Sequence, residues 1–168
     1  IACADDVETV LQAEGPGSVA AAIAEPVLGT GGIVLPPPGY FERLQEICAA
    51  HGILLILDEV ITGFGRTGTW WGMEQWDIRP DLLSFAKGLT SGYLPLGGVA
   101  IGRRVYETIR DESPPGLPFM GGLTYNNHPT ACSAALANLD ILENEGLVDN
   151  ARVVGAQILE DVQSALGS

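Results

Sequence analysis

Two residues in this chain have the types and the setting for covalent chemistry at an amine. Lys87 stands in Ser84-Phe85-Ala86-Lys87-Gly88, at the end of a short apolar run. Asp58 stands in Leu57-Asp58-Glu59-Val60, at the end of another. A lysine whose ammonium is desolvated has a lowered pKa and forms Schiff bases with aldehydes. A carboxylate at a neighbouring strand end could keep a pyridine nitrogen protonated. Together they suit pyridoxal phosphate, whose protonated ring withdraws electrons from an amino-bearing carbon. Each residue also has a plainer reading. Asp58 could cap a helix or loop, and Lys87 could reach past a strand end to water.

The surroundings of Lys87 favour chemistry. Gly88 and the turn-rich Thr90-Ser91-Gly92-Tyr93-Leu94-Pro95-Leu96-Gly97-Gly98 leave room beside the amine. Thr124 precedes Tyr125-Asn126-Asn127-His128-Pro129, just before a helical pattern. A hydroxyl and backbone N–H groups there could hold phosphate, or could simply cap the helix. Gly63-Phe64-Gly65-Arg66-Thr67-Gly68 has the spacing of a dinucleotide fingerprint. A genuine fingerprint passes directly into a helix and is followed by a ribose-binding acid about 20 residues on. Here Trp70-Trp71-Gly72 follows and position 88 is glycine, so we read a tightly packed loop. Arg66 and Glu59 read as structural, and Trp70, Trp71 and Trp76 as packing residues.

These positions need a scaffold. Asp5 to Ala13 reads as a short helix, stopped by Gly15-Pro16-Gly17. Val19 to Val27 suits a buried strand, and Gly29 to Gly39 a loop. Tyr40 to Ala50 places Phe41, Leu44, Ile47 and Cys48 on one helical face, closed by Gly52. Ile53 to Leu57 is continuously apolar, as in a parallel strand buried on both faces. A loop from Thr62 to Asp81, strands at Leu82–Ala86 and Gly98–Ile101, a short helix at Val105–Arg110 and a loop to Tyr125 follow. Helical patterns run from Pro129 to near Gly146 and from Leu147 to Leu166. Strands alternating with helices predict an α/β fold with parallel strands. The alternation stops along the Pro129–Glu145 helix, which marks a domain boundary.

Composition excludes other classes. With 8 basic against 21 acidic residues in 168, the formal charge is −13. That field repels nucleic-acid phosphates and anionic lipid headgroups, so no nucleic-acid or membrane partner is expected. No apolar run approaches the ~20 residues of a membrane span. Cys3, Cys48 and Cys132 are scattered and only His51 and His128 are present, which supports neither a disulfide framework nor a metal site. A reducing cytoplasm is expected. The start at Ile1 and the close within a helical pattern suggest a piece of a longer protein.

Several motifs occur in order: Glu25-Pro26-Val27, Asp58-Glu59-Val60-Ile61-Thr62-Gly63-Phe64-Gly65-Arg66-Thr67-Gly68, Ser84-Phe85-Ala86-Lys87-Gly88, Pro95-Leu96-Gly97-Gly98, and Thr124-Tyr125 with His128-Pro129. This set resembles the class III (omega) pyridoxal-phosphate-dependent aminotransferases, over nearly the whole chain. The resemblance implies a fragment of fold type I: an α/β large domain with a mainly parallel sheet and flanking helices, running into the small domain. Residues 1–128 would be the C-terminal half of the cofactor-binding large domain. Residues 129–168 would be the interdomain helix and the start of the small domain.

The same resemblance implies site roles. Lys87 would carry pyridoxal 5'-phosphate as a Schiff base and shuttle the substrate proton. Asp58 would pair with the pyridinium nitrogen, and Val60 would pack on the ring. Ile61 stands where some relatives have a glutamine that bonds the cofactor's phenolic oxygen. Thr124 would reach the phosphate held by a neighbouring subunit, so the implied assembly is a homodimer with shared sites. Gly121-Gly122 replace the histidine and glycine of many relatives. The family's phosphate loop and its ring-stacking aromatic would lie before Ile1.

The activity implied is transfer of an amino group from an amine or omega-amino acid to a keto acid such as pyruvate. Decarboxylation, racemisation, aminomutation and phospho-lyase chemistry use the same fold group, and an inactive fragment is the remaining alternative. Some relatives acting on 4-aminobutyrate or ornithine carry a glutamate five residues after the Glu of Glu-Pro. Here that position is Thr30, which leans toward exchange between an amine or omega-amino acid and pyruvate.

Overall fold

The computed structural model describes residues 2–15, 17–116, 119 and 121–167. The elements in chain order are α1 (Ala2–Glu14), β1 (Ala21–Ala24), α2 (Tyr40–His51), β2 (Leu54–Asp58), β3 (Leu82–Phe85), β4 (Gly98–Ile101), α3 (Arg103–Glu112), α4 (Pro129–Asn144) and α5 (Leu147–Leu166). The four strands form one sheet in the order β1-β2-β3-β4.

Sheet order follows from the connections. The stripe of Phe41, Leu44, Ile47 and Cys48 on α2 is buried. Gly52 ends that helix at φ 67°, a left-handed conformation that glycine adopts without a Cβ penalty. The chain then enters β2, which lies parallel to β1 with Ala22 beside Leu55 and Ala24 beside Leu57. Leu55 and Leu57 pack with the α2 stripe, Leu11 of α1, Ile53 and Ile78 in the main core. Arg43 of α2 ties α1 down by ion pairs to Asp5 (2.7 Å) and Glu8 (2.8 Å). At this exposure such pairs orient the helices more than they stabilise them.

The opposite face of the sheet carries a second apolar row. Ile23 pairs with Ile56, Ile56 with Leu82, and Leu82 with Ile101. The next row is Asp58, Ser84 and Val99. Residues paired in register share a face. Ile23, Val99 and Ile101 are exposed, so this face has no layer over it among the described residues.

Two elements differ from expectation. β1 is shorter than the apolar run from Val19 to Val27, because the chain turns at Glu25 and Pro26 lacks an N–H for the ladder. β4 is antiparallel to β3. The turns between Lys87 and Gly97 reverse the chain, so no helical crossover is needed. Between the parallel strands β2 and β3 there is no α-helix, only a 3-10 turn at Gly72–Gln75 within the loop expected from Thr62 to Asp81. The helices from 103 and from 147 match the expected patterns, the latter bounded by Gly146 and Gly167 in left-handed conformations. No helix among the described residues is long and apolar enough to cross a membrane.

Candidate active site

Asp58 and Lys87 both stand at the carboxyl end of the parallel strands, where open α/β sheets receive ligands. Asp58 is the last residue of β2 and lies in register with Ser84, three residues before Lys87. It is half-buried on the uncovered face. Its Oδ1 accepts the backbone N–H of Val60 at 3.0 Å. Among the described residues neither Asp58 nor Lys87 takes part in an ion pair.

Glu59 behaves differently. It is wholly buried. Its carboxylate accepts the N–H of Gly72 at 2.8 Å, the N–H of Met73 at 2.7 Å and the Thr62 hydroxyl. These bonds fold the segment after β2 back onto the strand end. Gly72 approaches so closely that a Cβ there would lie 2.7 Å from Thr62 Cβ. Glu59 is therefore structural, as its sequence reading had it.

The glycine-rich loop 63–68 is also structural. Gly65 (φ 90°) and Gly68 (φ 80°) receive the first turns of α5: a Cβ at Gly68 would lie 2.9 Å from the Arg152 Cα. No helix starts from this loop until the turn at Gly72. Beneath it, the Phe64 and Trp71 rings meet at 4.9 Å, and the Phe85 ring stands 5.8 Å from Trp71. Trp76 packs on Phe41 at 5.7 Å.

Lys87 has φ 39°, in the left-handed region that non-glycine residues rarely occupy. It opens a 3-10 turn, Lys87–Leu89. The side chain is exposed, which departs from the desolvated lysine anticipated above. It borders an open groove with Thr90, Leu94, Pro95 and Leu96.

Val60 and Ile61 follow Asp58 and are half-buried. Gly29 makes room for Ile61: a Cβ at Gly29 would collide with Ile61 Cδ1. Glu25 holds that corner by accepting the Gly29 N–H at 3.0 Å. Thr124 lies in an exposed turn ahead of α4, in which Asn126 N–H bonds the Leu123 carbonyl at 3.0 Å. The free thiols differ: Cys3 is exposed and Cys48 is buried. Burial pushes the Cys48 thiol up, with the charge of Asp81 adding to the effect. No cluster of three or more metal-ligating side chains occurs among the described residues.

Sequence reasoning missed Asn138. It lies on α4 beside Ala135 and Leu139, which pack with Phe64 and Leu89. Its Nδ2 donates to the carbonyls of Gly88 (2.9 Å) and Leu89 (3.1 Å), directly after Lys87. Ser91 Oγ donates to its Oδ1 at 2.7 Å. The one available signal was a polar residue beside an apolar helical stripe.

Known proteins are similar to this chain in sequence and fold. The model of the family described as Aminotransferase class-III matches residues 1–167. A diaminobutyrate–2-oxoglutarate transaminase of Halomonas elongata is 49% identical over 97% of this chain and 35% of its own length. A thermostable (S)-enantioselective omega-transaminase from Thermomicrobium roseum superposes with a TM-score of 0.89 at 47% identity, covering 98% of this chain and 36% of that one. An amine transaminase from an uncultivated Pseudomonas species, solved in its PLP-bound form, gives 0.90 at 48% identity over 98% and 37%. The chain thus spans about a third of the length of these relatives. Its fold is part of a fold type I transaminase, in which the sheet is mainly parallel and helices flank it. This chain belongs to the class-III aminotransferase family, whose cofactor is pyridoxal phosphate.

Proposed function

We propose that the protein containing this chain is a transaminase. It takes an amino group from an amine or omega-amino acid and delivers it to a keto acid such as pyruvate. The observation that carries this reading is the pairing of a lysine and an unpaired carboxylate at the ends of adjacent parallel strands. The donor set fits the cofactor: one primary amine between small residues, Ala86 and Gly88, and one carboxylate with no cation of its own among the described residues. Bound pyridoxal phosphate supplies an electron sink for a carbanion beside nitrogen.

The chain's own residues then have these tasks. Lys87 Nζ holds the cofactor covalently at rest and moves the proton taken from the donor carbon. Asp58 holds a proton on the ring nitrogen by charge pairing. The Val60 N–H orients the Asp58 carboxylate through its 3.0 Å bond. Val60 would pack on a ring face, and Ile61 would offer the phenolic oxygen no hydrogen bond. Thr124 binds the phosphate of the neighbouring subunit in a homodimer. Residues 1–128 belong to the large domain and 129–168 begin the small one. The assembly works in a cytoplasm.

The names of relatives are in keeping with such a donor. The Halomonas protein is named for diaminobutyrate, and several solved neighbours are named amine or omega-transaminases. All are consistent with a donor whose amino group sits on a terminal or secondary carbon. Thr30 favours pyruvate as acceptor over 2-oxoglutarate. The test gives the full-length protein a simple amine or 2,4-diaminobutyrate, with pyruvate or with 2-oxoglutarate, and analyses products. Alanine formation supports the reading. Carbon dioxide release or racemisation without any keto acid would replace it with another chemistry of the same fold.

A further inference from the structure

We propose that Asn138 is a positioning residue for Lys87, acting from α4 through the backbone that follows the lysine. The inference rests on the reading of Lys87 as the cofactor-bearing amine. Its basis is the geometry of residues 87–91. Two residues in this short segment have left-handed backbones without being glycine, Lys87 at φ 39° and Ser91 at φ 48°. Such conformations are costly for residues with a Cβ and persist only where neighbours enforce them.

The enforcement is visible. Within the turn, the N–H of Leu89 bonds the Ala86 carbonyl at 3.0 Å, and the N–H of Thr90 bonds the Lys87 carbonyl at 3.2 Å. The next two carbonyls, Gly88 and Leu89, receive the two hydrogens of one amide, Asn138 Nδ2. The same amide's oxygen takes the Ser91 hydroxyl. Asn138 therefore uses both donors and its acceptor on the stretch between the two strained residues. From below, Gly88 lies against Phe64, where a Cβ would come within 3.0 Å of Phe64 Cβ. The segment is held from two sides, by an amide and by an aromatic side chain. Ala, Asp or Leu at position 138 cannot donate two bonds to adjacent carbonyls.

Position matters here because reaction rate depends steeply on placement. A misplacement of about 1 Å at a reacting group can cost on the order of a hundred-fold in rate. Losing the amide frees the Lys87 φ to relax and moves the origin of its side chain. Donor binding, which does not use Asn138, stays as it was. The expected signature is a loss of kcat of about ten- to a hundred-fold with donor KM within about two-fold of wild type.

The experiment uses the full-length protein and the variants Asn138→Ala, Asn138→Asp and Ser91→Ala. Asn138→Asp keeps size and the acceptor for Ser91 while removing both donors, and it serves if Asn138→Ala fails to fold. Hydrogen exchange on the cofactor-free protein reads the amides of Leu89 and Thr90 without any catalysis. The holoenzyme gives kcat, KM and the pH midpoint of the cofactor's visible absorbance. We expect faster exchange confined to residues 88–91, a shifted midpoint and the kcat loss in both Asn138 variants, with a small effect in Ser91→Ala. Unchanged kcat and midpoint, with wild-type cofactor mapped to Lys87, overturn this inference alone. Cofactor mapped by borohydride reduction to another lysine in the wild type overturns the reading of Lys87 and this inference together.

Discussion

Asp58 and Glu59 are consecutive carboxylates with opposite surroundings. Asp58 is half-buried on the uncovered sheet face and accepts one backbone N–H, whereas Glu59 is wholly buried and accepts three donors. One step along a strand end turns a residue from one side of the sheet to the other. The same functional group thus stands open to a ligand at one position and closes a loop at the next.

That contrast separates two variants. Glu59→Ala leaves the buried N–H groups of Gly72 and Met73 without acceptors. It is expected to cost about 3 kcal/mol and to lower Tm, with Glu59→Gln retaining part of the loss. Thermal unfolding of the full-length protein measures both. A Glu59→Ala protein as stable as wild type would show that the loop closes without this carboxylate.

Asp58→Asn is expected to leave the unfolding free energy within about 1 kcal/mol of wild type, since the Val60 N–H still finds an oxygen. Proton abstraction from the donor should slow by orders of magnitude, because an amide does not hold the ring nitrogen protonated. Single-turnover kinetics decide. A near-normal rate removes Asp58 from the role proposed for it.

Lys87→Ala in the full-length protein is expected to abolish turnover and the visible absorbance of covalently held cofactor. Peptide mapping after borohydride reduction of the wild type provides the check, and a label on any other lysine refutes the assignment.

Gly68→Ala probes the contact between the glycine-rich loop and α5. A Cβ there would meet the backbone of Arg152 while the residue keeps φ 80°. Roughly 2 kcal/mol of destabilisation is expected. Normal unfolding of this variant would mean that α5 shifts without cost.

Cys48 predicts a pH effect. Burial raises its pKa in the folded protein, so the thiol keeps its proton where an unfolded thiol ionises. The unfolded state then binds fewer protons, and stability falls as pH rises through the usual thiol range near ~8.5. Denaturant unfolding at neutral pH and above that range, in wild type and Cys48→Ala, measures it. The Cys48→Ala protein should lack this part of the slope, and an identical slope would refute the assignment.

Much of the scaffold was legible because local rules and tertiary structure agree. Leu147–Leu166 was readable to its ends, since glycines bound it on both sides and an apolar stripe runs along it. β2 was readable because nothing but a buried strand accounts for five apolar residues before two acids. The direction of β4 was not readable. Gly98–Ile101 has the same pattern in either orientation, and the turns at Lys87 and Ser91 decide it through positive φ values that their side chains do not advertise. The placement of Asp58 and Lys87 at strand ends followed from their neighbours. The exposure of Lys87 did not, because it depends on which walls surround the groove. Asn138 was invisible for a related reason: its partners are backbone carbonyls distant in sequence, and carbonyls leave no trace in residue identity.

The seat of α5 on Gly65 and Gly68 has a consequence for the order of events during synthesis. The loop after β2 emerges first, and the helix that packs on it follows only after β3, β4, α3 and α4. Long-range closures of this kind are entropically expensive and form late. While translation proceeds, Glu59 can already fold the loop back onto its strand, because all its donors lie within the same stretch. The glycine surface meanwhile remains bare to water. A ribosome that stalls before residue 148 would hold out a nascent chain with a finished loop and no cover for it, a natural place for a chaperone to bind.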